Sequence, residues 1–173
     1  NQNKDLESVS KCGLTIARTA LPRTLNGEES QDLFHQLCLM SAYGGASIAR
    51  NRTGLIHTLS VAFSPFFETS HGRLNANLLK FALQYSVDNY NGQLQSVVSA
   101  MFEREIHSDH QAMDVLLDWL YPLLGDECLK KSITLDEHVE AIYRRVLQDA
   151  GLNSVTYGGI DKERLFLLVR KIV

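Results

Sequence analysis

Three prolines in 173 residues, Pro22, Pro65 and Pro122, leave most of this chain with nothing to stop a helix. Proline removes a backbone donor and blocks the turn before it, so its scarcity permits long helices without creating them. The patterning does the rest. Between the breakers, apolar residues recur at the three- and four-residue spacing of a helix buried along one side. Leu6, Val9, Leu14 and Ile16 begin a first helix, predicted to end before Pro22. The stretch "NGEESQDLFHQLCLMSAYGGASIAR" predicts a long second helix, with Asn26 as cap and Glu28 and Glu29 at its positive end. Leu33, Leu37, Met40 and Ile48 mark its apolar side. A short third helix covers 55–64, closed by Pro65, and a fourth runs from near His71 to about Asn89. Further helical patterns occupy about 91–104, 108–124, 135–150 and 161–172, with Gly151 as a C-cap and Asp161 as an N-cap. The best strand candidate, "NSVTYGG", is short. No repeat, low-complexity tract or linker breaks the pattern. Residues 1–173 read as a single all-α domain of about seven helices.

A chain of this length buries roughly 70% of the surface it exposes when unfolded, so it needs no staples. Apolar residues make up 45% and charged residues 21%, the balance of a soluble globular protein. Net charge is −3 with mixed signs, so no basic patch invites nucleic acid. Cys12, Cys38 and Cys128 are odd in number and widely spaced; a reducing, cytoplasmic setting is expected rather than a disulfide framework. The opening NQNKDLESVS lacks the basic start and apolar core of a signal peptide. No apolar run approaches the roughly 18 residues of a spanning helix, so no membrane is expected as partner.

Gly44 and Gly45 interrupt the second helix, where each glycine costs about 1 kcal/mol against alanine. With Ser41, Ala42, Ala46 and Ser47 they form a small-residue face, read first as a place of close helix packing and second as room for a cofactor.

The stretch "GLIHTLSVAFSPFFETSHG" sets His57 in the first turn of the third helix and His71 at the entry of the fourth. The positive end of a helix disfavours imidazolium, and neutral imidazole is the metal-binding form. Two consecutive helices joined by a short loop lie side by side, and Gly72 leaves room for close approach. On these residues alone, two separately packed histidines are the commoner outcome, because two ligands do not complete a site. Other signals are weaker. His107 and His110 flank Asp109 at a helix entrance, which reads as a charged helix start. His35 and His138 read as surface or boundary positions, and Val115, Leu116, Trp119 and Leu123 as core. "EHVEAIYRRVL" is ordinary surface pairing on a helix. Cys38, in an apolar helix, reads as an inert thiol. No G-x-S-x-G nucleophile motif occurs.

"GLIHTLSVAFSPFFETSHGRLNANLL" resembles the segment of iron-containing alcohol dehydrogenases that supplies two of their metal ligands. The family pattern is G-L-x-H, often a second His four residues later, then P-H-G-x-x-N-A. Gly54, Leu55, His57, His71, Gly72, Asn75 and Ala76 match it. "QLCLMSAYGGASIARNRTG" resembles the family's small-residue helix leading into that glycine. The rest of the chain fits the family's helical C-terminal half in length and type, with weaker local motifs. Three positions depart. Val61 stands where the family often has its second histidine, thought to take part in proton transfer. Ser70 and Lys80 replace prolines. The family's further ligands, an Asp and a His four residues apart, have no counterpart here, nor has its glycine-rich nucleotide-binding turn.

The resemblance implies a helical metal-binding and substrate domain whose N-terminal nucleotide-binding half is absent from these residues. It implies His57 and His71 as ligands of a divalent metal, iron or zinc, with Val61, Phe63, Phe66 and Phe67 lining an apolar substrate region. The parent activity is interconversion of an alcohol with an aldehyde or ketone, linked to NAD or NADP. Beyond the two metal ligands, the sequence assigns no catalytic or cofactor-binding residue, and these stay open. Two imidazoles alone bind a divalent ion weakly, so the isolated domain is expected to be inactive and to hold no cofactor of its own. The partners implied are the missing half and a small alcohol or aldehyde; a homodimer stays open. The alternatives are a non-catalytic helical scaffold that kept the fold and lost the chemistry, and a metal-independent member that binds nucleotide and substrate only.

Overall fold

A computed structural model describes residues 2–51, 54–89, 93–124, 136–148 and 161–172. The described elements are helical: α1 (Gln2–Leu25), α2 (Gln31–Asn51), α3 (Leu55–Phe63), α4 (His71–Asn89), α5 (Gln93–Phe102), α6 (Asp109–Leu124), α7 (Val139–Gln148) and α8 (Lys162–Ile172). Among the described residues there are eight helices, one for each helical stretch of the patterning and one more than its rounded total of about seven. Short 3₁₀ turns follow α3 and precede α7. Gly151 and "NSVTYGG" lie outside the described residues.

Helix α1 runs through Pro22 instead of stopping before it. Pro22 lies in the last turn, so its missing N–H removes one bond near the end, while its carbonyl still accepts the Asn26 amide at 3.0 Å. The exit follows from what comes next. Gly27 takes a positive φ of 78°, its amide bonds Thr24 O, and the Glu28 amide reaches back to Arg23 O. That is the glycine-terminated helix end that satisfies the last carbonyls. Asn26 therefore belongs to the exit of α1 and does not cap α2. Ser30 does, its hydroxyl accepting the Leu33 amide at 3.2 Å. The Glu28 carboxylate turns back onto Arg23, whose Nε donates to it at 2.8 Å. This hydrogen bond holds the Glu28 carboxyl below the usual carboxylate range.

Contacts group the chain into two compact units, each built from two stretches of sequence. The first comprises Asn1–Arg52 and Asn91–Gly125. Within it α1 packs along α2, and α5 lies against α1 and α6. A Cβ on Gly13 would sit 3.1 Å from Tyr43 Cβ, so Gly13 is what lets α1 and α2 approach closely. Gly44 and Gly45 play no such part, since both are exposed and a Cβ on either would meet nothing within 4 Å. Along α2 only Leu33 is fully buried; Ile48 is 54% exposed, and Cys38 is exposed rather than packed away. One core cluster of this unit holds Val98, Ile106 and Ala112, with Val115 and Leu116 packed on it, and Trp119 stands edge-on to Phe102. Ser108 caps α6 through the Gln111 amide, and Asp109 Oδ1 accepts the Gln95 amide at 2.7 Å. The His107–His110 stretch is thus a capped helix entrance.

The second unit comprises Thr53–Tyr90 and Asp126–Val173. Its centre is α3, which packs against α4 and α7. Leu55, Leu59, Ala62 and Phe63 of α3 meet Leu74, Leu78 and Ala82 of α4, Ile142 and Val146 of α7, and Leu165 and Val169 of α8. Burying side chains of this size contributes about 1.5–3 kcal/mol each. Asp161 caps α8 as predicted, accepting the Arg164 amide at 3.0 Å. The Tyr143 hydroxyl donates to Lys162 O at 3.1 Å, tying α7 to the start of α8. This unit carries both histidines of interest.

Candidate metal centre at the His57–His71 pair

Helix α3 carries His57, Thr58 and Ser60 among six apolar residues and has no side-chain cap. Gly54 starts it with extended backbone and offers its carbonyl to the amides of His57 and Thr58. His57 therefore stands in the first turn, half-buried, on the flank of a helix whose other faces are sunk in the core. Ser70 caps α4, its hydroxyl 3.4 Å from the Arg73 amide and its carbonyl 3.0 Å from the Leu74 amide. Where the family pattern has proline, this chain substitutes another helix-starting residue. His71 follows directly as the first residue of α4 and is exposed.

The two imidazoles meet. His57 Nδ1 lies 3.1 Å from His71 Nε2, with ring centroids 4.9 Å apart and planes at 78°. The two histidines are thus one pair, not two separately packed side chains. Gly72 is not what makes room for them, because a Cβ there would meet nothing within 4 Å. The other nitrogen of His71, Nδ1, lies 3.0 Å from Ser60 Oγ. Ser60 is fully buried and sits three residues after His57, on the same side of α3.

The pair fits a metal as two donors of a larger set. Nitrogens 3.1 Å apart, each at the usual ~2.1 Å from one ion, subtend an angle of about 95° there. That is an ordinary ligand–metal–ligand angle. Among the described residues no third His, Cys, Asp or Glu joins them, so the set is not completed by these residues. The four proposed substrate-lining residues separate. Val61 is 41% exposed, one turn beyond His57. Phe63 and Phe67 are buried in the core, their rings 6.1 Å apart. Phe66 is half-buried and stacks on His138 at 5.1 Å.

A family model for the C-terminal part of the Fe-containing alcohol dehydrogenase family matches residues 9–173. This chain belongs to the iron-containing alcohol dehydrogenase family. Two solved structures share its fold. A 1,3-propanediol oxidoreductase superposes with a TM-score of 0.75 at 12% identity, over 97% of this chain and 45% of that one. The iron-containing alcohol dehydrogenase of Thermococcus thioreducens gives a TM-score of 0.75 at 16% identity, over 96% and 43%. The chain thus spans less than half the length of these dehydrogenase structures, and corresponds to their helical C-terminal part. No curated protein sequence matches it. No described helix is long and apolar enough to cross a membrane.

Sequence reasoning singles out Val61 and passes over its neighbour Ser60, which is the residue that touches the pair. A signal is available: a serine three residues from a histidine, inside a mostly apolar helix, shares that histidine's side.

Proposed function

We propose that this chain is the helical part of a metal-dependent oxidoreductase that interconverts an alcohol with an aldehyde or ketone, with His57 and His71 as two of the metal's ligands. One observation carries the reading: ring nitrogens from two successive helices converge to 3.1 Å at the two histidines of the family motif. A divalent ion, iron(II) or zinc, supplies Lewis acidity toward the substrate oxygen when bound, and a nicotinamide, NAD or NADP, accepts or donates the hydride. The chain's own work is positional. Two capped or core-anchored helix starts hold the imidazoles, and Val61, one turn beyond His57, is the apolar side chain left to face a substrate, since Phe63 and Phe67 are buried in the core. Val61 carries no proton, so proton exchange with the substrate takes a route that avoids this position. The remaining ligands and the nucleotide site belong to a partner half, and the chain alone is inactive as a dehydrogenase. The exposed free thiols of Cys12 and Cys38 fit a reducing cytoplasm.

The test is metal binding by the chain itself, purified without chelator or tag metal and titrated with cobalt(II) under visible absorption. Weak binding that disappears in His57→Ala and in His71→Ala supports the reading. Spectra and melting temperatures that neither substitution alters overturn it. The scaffold reading then stands, favoured by Val61 and by the missing third donor among the described residues. Joined to a nucleotide-binding half, the chain should support alcohol-dependent nicotinamide reduction that a chelator abolishes.

A further inference from the structure

We propose that Ser60 is a positioning residue that sets the ring orientation and tautomer of His71 through Nδ1, so that Nε2 faces His57. The proposal deepens the metal-ligand reading and rests on it for its consequence, though not for its geometry. Both ring nitrogens of His71 are engaged: Nδ1 with Ser60 Oγ at 3.0 Å, and Nε2 with His57 Nδ1 at 3.1 Å. A neutral imidazole carries one proton, so these two contacts are coupled.

The environment of Ser60 decides the direction. It has no exposed surface, and its hydroxyl hydrogen has no other acceptor among the described residues. A buried hydroxyl left unpaired is costly. Ser60 therefore donates to His71 Nδ1, the ring proton rests on Nε2, and that proton is donated to His57 Nδ1. The chain Ser60–His71–His57 runs from the core outward in one sense. If the two facing nitrogens turn their lone pairs to an ion, the proton of His71 rests on Nδ1, and the same oxygen accepts it. A hydroxyl can enter both arrangements, donating in the first and accepting in the second, but in the second its own buried hydrogen is left unpaired, so Ser60 favours the first.

The experiment reads the tautomer directly. Long-range ¹H–¹⁵N spectra of the metal-free chain in alkaline buffer report the ring nitrogens of His71, assigned with His71→Ala. The wild type should show one tautomer, protonated on Nε2. In Ser60→Ala the ring resonances should move toward the averaged values of a mixture, at an unchanged far-ultraviolet spectrum. Alanine suits a helix interior and removes a single heavy atom, so the fold should survive. Ser60→Gly deletes the same hydroxyl and repeats the measurement if the alanine variant melts early. An unchanged His71 tautomer in both variants overturns the proposal, whatever the cobalt titration shows. If the wild type binds no cobalt while the tautomer still shifts, the metal reading fails and the positioning role of Ser60 stands.

Discussion

Thr58 offers a sharp test of how the helix carrying His57 is stabilised. It is 2% exposed, and its Oγ1 has no hydrogen-bond partner among the described residues. Burying an unpaired hydroxyl costs about 1–3 kcal/mol, whereas an apolar group of the same shape carries no such penalty. Valine replaces the hydroxyl with a methyl, keeps the branch at Cβ, opens no cavity, and matches threonine closely in helix propensity. Thr58 stands in the first turn of α3, where the backbone can partly relieve the mismatch, so the low end of the range applies. Thr58→Val should stabilise the protein by about 1 kcal/mol, which for a chain of this size raises the melting temperature by about 2–4 °C. Circular dichroism during heating measures it, with cobalt titration as a control that the neighbouring His57 is undisturbed. A melting temperature that falls by a few degrees would refute the reasoning, because it would mean that the hydroxyl has a partner whose loss is felt.

Two further outcomes follow from the same structure. Phe63 has no exposed surface and packs on Phe67 in the core of the second unit, so Phe63→Ala should cost about 3–5 kcal/mol in urea denaturation; a loss below about 1 kcal/mol would contradict its core placement. The Glu28 carboxyl is held low chiefly by its hydrogen bond from Arg23, so its contribution to stability is present above the ordinary carboxylate range and is lost as pH falls through its depressed folded value. The melting temperatures of the wild type and Glu28→Gln should therefore differ near neutral pH and converge in acid, and curves that stay parallel at every pH would exclude the pair as the cause.

Much of the helical order is legible because helix formation is governed by neighbours three and four residues apart. Asp161 reads as a cap and does cap α8, since an aspartate before an apolar-periodic run acts on the amides just beyond it. Asn26 reads as a cap by the same rule, and there the rule fails. Gly27, one residue on, takes the left-handed backbone that ends α1, and draws Asn26 into that exit. Two local rules compete at this point, and the rarer backbone conformation wins. The glycines of α2 are legible as small but not as exposed; the close approach falls to Gly13, paired with a tyrosine far along the chain. Whether a small residue meets a neighbouring helix depends on which helix lies opposite, and that information is not local.

Taken by itself, the chain's order of residues determined that it would be helical, where most helices would begin, and that His57 and His71 would stand at the starts of two successive helices. Each of these follows from short-range sterics, capping and apolar spacing. Tertiary structure alone decided that the two rings meet at 3.1 Å, that a buried serine grips the outer one, and that Phe63 and Phe67 turn inward while Val61 faces out. The rotation of α3 about its own axis, and the seating of α4 and of the turn after α3 against it, settle all three. That rotation is set by the apolar side chains of α4, α7 and α8 closing around it, a balance of burial spread over distant parts of the sequence.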